Sequence, residues 1–178
     1  MTGSVRRRLI AEPPAGYSAE IARWLWVLAD TRQRTLGVLD GLDDSRLDEP
    51  GPGGNSIGTI LAHVAMIETD WLYVEILGED VPAELIALLP PDVRDADGHL
   101  LTTPGLSLTR HLEALAAVRA QLVERVGALL PEDLHHVRSL PDYDVSPEWV
   151  LHHLVQHEAE HRAEIAIARA VFEGRSTH

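Results

Sequence analysis

The sequence predicts an all-α protein, a four-helix bundle with a long connection between its second and third helices. Three observations predict this. Four stretches repeat apolar residues at the 3.6-residue rhythm of an amphipathic helix, each opens at a serine, and no convincing stretch alternates apolar with polar as a strand would.

Residues 1–17, with Arg6-Arg7-Arg8 and then Glu12-Pro13-Pro14-Ala15-Gly16, are expected to form a flexible N-terminal segment. The first helix begins near Ser18, whose hydroxyl can cap it, with Glu20 in the electropositive first turn. Ile21, Trp24, Leu25, Leu28, Leu36 and Leu39 carry its rhythm to about Asp40. Residues 41–54 are rich in breakers and read as a connection. The second helix opens at Asn55-Ser56, follows the stripe Ile57, Ile60, Leu61, Val64, Ile67, Trp71 and Val74, and ends near Gly78.

Residues 79–106 hold four prolines and one short apolar piece, Leu85–Leu89. The third helix runs from Ser107 to about Leu130, where Pro131 stops it. The fourth opens at Ser146-Pro147, with proline at the first helical position, and reaches Gly174. The long middle connection can return along the bundle, so helices two and three are expected to run parallel, and helices two and four antiparallel. One domain over 18–174, with a tail at 175–178, accounts for the chain.

Composition narrows the chemistry. With 28 acidic and 15 basic residues the net charge is −13, a field that repels phosphate backbones, so neither nucleic acid nor an anionic membrane is an expected partner. Cysteine is absent, which removes disulfides, thiolate metal sites and a cysteine nucleophile. Lysine is absent too, which removes a Schiff-base or P-loop lysine. No apolar run approaches the ~20 residues of a membrane span. With no apolar stretch after the arginines to serve as a signal peptide, the expected location is the cytoplasm.

The ten histidines carry the functional signal. His153, His157 and His161 are spaced i, i+4, i+8 on the fourth helix, drifting only about 40° per step, and their face is bordered by Val150, Leu154, Ile165 and Ala168. His63 lies on the inner stripe of helix two. Clustered inward imidazoles are costly unless each finds a partner, and a divalent cation provides one by taking the neutral rings as ligands. His63, His157 and His161 are therefore the expected ligands, with positions open for water or substrate. His153 is either a ligand in place of His161 or a neighbour in the pocket. His99, His111, His135, His136, His152 and His178 fall by phase on solvent-facing or loop positions.

Two motif readings compete. Residues 157–161 spell His-Glu-Ala-Glu-His, formally the zinc-protease motif, but Glu164 stands where the metzincin pattern wants glycine and no strand exists to align a peptide. Glu158 and His161 form half of a di-iron signature, whose second copy, Glu132 and His135, follows a proline in a loop.

The segments Asn55-Ser56-Ile57-Gly58 leading to His63, and Gln156-His157-Glu158-Ala159-Glu160-His161-Arg162, resemble the DinB-like (YfiT-like) four-helix-bundle metalloproteins, over about residues 20–172. The resemblance implies one divalent ion, nickel or zinc, on His63, His157 and His161. Glu164 departs from the glutamine of that family's usual ending and brings a charge one turn beyond His161. Several relatives are transferases or isomerases using low-molecular-weight thiols such as bacillithiol or mycothiol. By resemblance the ion would stabilise the thiol as thiolate, for attack on a small electrophile in detoxification or stress response. Trp24, Trp71 and Tyr73 either line the mouth where that electrophile would sit or pack the core and rim. The alternatives are a hydrolase using activated water, with Glu158 or Glu160 as base, and a non-enzymatic metal-binding bundle. The remaining helix faces leave room for a homodimer.

Overall fold

The computed structural model describes residues 9–90, 100 and 104–174. Arg6-Arg7-Arg8, His99, His178 and the tail at 175–178 lie outside the described residues; residues 9–17 are exposed. The described residues form five α-helices: α1 (Ala19–Leu39), α2 (Ile57–Asp70), the short α3 (Ala83–Ile86), α4 (Leu108–Gly127) and α5 (Pro147–Phe172). The four long ones form the bundle. Each starts in the same way, with a serine side chain (Ser18, Ser56, Ser107, Ser146) accepting from the backbone N–H three residues on, at 3.2–3.3 Å. A cap of this kind satisfies one of the N–H groups that a helix start leaves without a partner, and is worth ~1 kcal/mol.

Cross-helix bonds fix the directions. Arg32 of α1 donates to the Leu115 carbonyl of α4, and Arg119 of α4 donates back to that of Leu28, so these two helices are antiparallel. Glu68 and Tyr73 meet Arg119 and Gln121 in the same order, so α2 and α4 run parallel, as the long connection between them allows. His63 meets His157 while Trp71 meets His153 and Trp149, so α2 and α5 are antiparallel. The core threads all four helices through Ile21, Leu28, Ile60, Leu115, Leu122, Leu151 and Ile165, none more than 2% exposed.

Three local features depart from the sequence reading. A two-residue antiparallel hairpin, β1 (Arg138–Ser139) with β2 (Asp144–Val145), precedes α5; it is too short to leave an alternating pattern. After Asp70, helix α2 widens into a π-helical segment, Trp71–Leu77, ended by Gly78 in the left-handed region at φ 65°. The wider turn shifts the inward face to Leu72, Tyr73 and Ile76 and leaves Val74, nominally on the 3.6-residue stripe, exposed. Leu36 is likewise exposed, because Thr35 and Leu39 take the inward face at the end of α1.

No helix among the described residues is long and apolar enough to cross a membrane.

Candidate metal centre

His63 sits in the middle of α2, 4% exposed, flanked by buried Ala62 and Val64. His157 and His161 reach it from α5, half-buried and one turn apart. The three rings converge through one kind of atom. Nε2 of His157 lies 3.0 Å from Nε2 of His63 and 3.1 Å from Nε2 of His161, and the ring centroids stand 4.4–4.9 Å apart.

The donor set suits a cation. Imidazole nitrogens bind a first-row divalent ion at about 2.0–2.1 Å, so two of them around one ion lie about 3.0–3.4 Å apart. Two of the three nitrogen pairs, at 3.0 and 3.1 Å, fall in that range, and all three nitrogens, from two helices, lie within 4.8 Å of one another. The group could hold a metal ion. Glu164, one turn beyond, brings Oε1 to 3.3 Å from His161 Nδ1. A carboxylate there favours the proton on Nδ1 and turns the lone pair of Nε2 toward the cluster, the arrangement that metal-binding histidines use. The charge of Glu164 therefore sits beside a ligand candidate.

His153 is not one of the converging three. Its ring packs against Trp71 at 4.4 Å and stacks on Trp149 at 5.2 Å, with its centroid 5.7 Å from that of His157. Burial pushes its pKa below the ordinary histidine value.

The base expected at Glu158 needs correction. Glu158 is 2% exposed and faces away from the rings. One of its carboxylate oxygens accepts from Arg32 Nε at 2.7 Å and the other from Arg119 Nη2 at 2.9 Å. Glu160 is exposed and accepts from Gln156.

The partners of Glu158 were not among the sequence candidates. Arg32 and Arg119 also hold Glu68, at 2.6 Å each, so two arginines and two glutamates from all four helices close a charge-balanced cluster. Burial opposes ionisation of Glu68, yet Arg119 and Arg32 outweigh it and hold its carboxyl below the ordinary range. Each of the four charges stands at i+4 from a buried aliphatic residue: Leu28, Val64, Leu115 and Leu154. Periodicity therefore contained the signal, masked by the general rule that charged side chains face water.

Among the other histidines, His135, His136 and His152 are exposed as expected. His111 is not: it is 4% exposed, and its Nε2 has no hydrogen-bond partner among the described residues. Gly58 explains its position, because a Cβ there would lie 3.1 Å from that nitrogen and 3.2 Å from the Leu47 carbonyl. Of the aromatic candidates, Tyr73 is buried with its hydroxyl donating to Gln121, and Trp24 packs against the core. Trp71 is half-buried and lines a cavity of about 590 Å³ together with Trp149, Tyr143 and Val137.

No curated protein matches the chain. Among solved structures, YfiT from Bacillus subtilis, described as "a probable metal-dependent hydrolase with an unusual four-helix bundle topology", is similar at a TM-score of 0.65 and 21% identity, over 93% of this chain and 94% of that one. That likeness shows the fold. The model of the DinB superfamily matches residues 28–165, from the last turns of α1 through both histidine-bearing helices, and the chain belongs to that superfamily.

Proposed function

We propose that this protein is a metal-dependent enzyme that binds one divalent ion, nickel or zinc, on Nε2 of His63, His157 and His161, and transfers a low-molecular-weight thiol of the bacillithiol or mycothiol type to a small electrophile. The observation that carries the reading is the convergence of the three rings, with Nε2 of His157 3.0 Å from that of His63 and 3.1 Å from that of His161. A bound divalent cation supplies Lewis acidity there, lowering the pKa of a coordinated thiol or water into the neutral range.

The chain's own residues do the rest. Helices α2 and α5 set the rings on opposite sides of one point, and Glu164 biases the His161 tautomer. The aromatic wall of Trp71, His153 and Trp149 keeps the approach to the rings apolar. In the transfer, the thiol sulfur bonds to the electrophilic carbon as that carbon's bond to its leaving group breaks. The leaving group departs with the bonding pair, and the thiol proton goes to solvent. This chemistry needs no protein base, and Glu158 is held in its own buried ion pairs.

Hydrolysis of a small ester or amide is the second reading, favoured by the description of YfiT as a probable metal-dependent hydrolase. Assays of metal-loaded protein separate the two. Conjugation of a thiol to an aryl halide, lost in His157→Ala, supports transfer. Ester cleavage without added thiol, also lost in that variant, supports hydrolysis and overturns the transferase reading.

A further inference from the structure

We infer that the cavity walled by the π-helical segment, the β1–β2 hairpin and the first turn of α5 binds a neutral, planar aromatic molecule. Its assignment as the acceptor in the reaction rests on the function proposed above; the binding itself does not.

The cavity measures about 590 Å³, within the range of sites for small organic ligands, and is lined by Trp71, Val137, Tyr143, Asp144, Val145 and Trp149. Its aromatic rings share an orientation. Trp71 lies 25° from the plane of Tyr143 and 30° from that of Trp149, with centroids at 6.3 and 5.4 Å, and His153 stacks on Trp149 at 11°. Flat π faces of this kind extend naturally onto another flat ring. Trp149 is 50% exposed and Val137 59% exposed, so a continuous apolar surface stands open to water, where covering it is favourable.

Two local features set this wall. The π-helical segment turns Tyr73 and Ile76 into the core while Trp71 stays at the cavity, and such segments recur at functional sites. Tyr143 is fixed by its hydroxyl, which donates to the buried Glu75 carboxylate at 2.8 Å. The wall also leads to the candidate metal centre, since the His153 ring touches both tryptophans and lies next to His157.

Charge selects a neutral ligand. Asp144 on the lining and Glu75 behind Tyr143 disfavour an anion, as does the net charge of −13. Asp144 is exposed and hydrated, so it offers a cation no dry ion pair.

The test is equilibrium dialysis of the whole chain against 1,3-dinitrobenzene, with 3,5-dinitrobenzoate as the anionic counterpart, in metal-loaded and chelator-treated protein. Saturable binding of the neutral compound is expected, about tenfold or more above the anion. A loss of about tenfold or more is expected in both Trp149→Ala and Val137→Glu, which change exposed side chains and leave metal content as in the unmodified protein. Absence of saturable binding, or affinity within about twofold of the unmodified protein in both variants, overturns the inference. Metal retained without dinitrobenzene binding defeats the cavity proposal alone. Dinitrobenzene bound by a protein that takes up neither nickel nor zinc when both are supplied defeats the metal reading and leaves the cavity's ligand in place.

Discussion

Helices α2 and α5 each contribute to two polar clusters, and the clusters are opposite in kind. His63 and Glu68 share one helix; His157 and Glu158 are neighbours on the other. The Arg32–Glu68–Arg119–Glu158 cluster is complete, since every carboxylate oxygen receives a guanidinium and positive charge equals negative. The histidine cluster brings together three copies of the same ring nitrogen. A polar group inside a fold must be answered by its complement. The first cluster contains its complement and serves the fold. The second gathers three ring nitrogens around one point, a group that could hold a cation from outside.

The largest effect should come from breaking the complete cluster. Glu68→Ala leaves two buried arginines short of a partner and should cost about 3–5 kcal/mol in urea unfolding. Because Arg119 and Arg32 depress the Glu68 carboxyl below its unfolded value, its contribution is present above the ordinary carboxylate range and disappears as pH falls through the depressed value. Acid titration of stability should show that loss in the unmodified chain and not in Glu68→Gln.

The histidine cluster should respond to metal instead. Nickel or zinc at about a hundred times its dissociation constant should stabilise the unmodified protein by about 2.7 kcal/mol and raise its Tm. His63→Ala should fold yet show no such rise. A metal-dependent Tm shift of full size in His63→Ala would break the contrast between the clusters.

Smaller still is the effect of Glu164→Gln, which keeps the ligands and removes the charge beside His161. Metal affinity should fall about 10–100-fold with little change in the stability of the metal-free chain. Titration against a competing chelator measures it.

The smallest effect concerns Glu75, whose carboxyl burial pushes above its ordinary value despite the hydrogen bond from Tyr143. A raised folded value means that its stabilising contribution is full below the unfolded carboxylate range and is lost as pH rises through the folded value. Glu75→Gln should therefore be more stable than the unmodified protein at neutral pH, with the gain vanishing in acid. Thermal unfolding across pH checks the sign.

The two clusters also differ in how legible they were. Inward histidines are unusual enough that helical phase singled out His63, His157 and His161 and excluded the exposed His152. The four buried charges obey the same phase, but charged side chains usually face water, so phase alone does not single out Arg32 and Arg119. Only the simultaneous presence of two glutamates on the facing helices makes their burial affordable, and that is a property of tertiary structure. His111 stayed hidden for a related reason: what buries it is the missing side chain of Gly58 on another helix. The π-helical segment changes the period itself, so a 3.6-residue reading places Val74 inside, where the structure leaves it exposed. Serine caps, proline stops and the long connection are local or countable features, and they carried the bundle and its helix directions.

Elemental analysis of untagged protein, purified without chelators, tests the central claim most directly, with His157→Ala measured beside the unmodified chain. About one nickel or zinc ion per chain in the latter and none in the variant is the predicted result. Equal metal content in the two, or none in either after exposure to both ions, would contradict it.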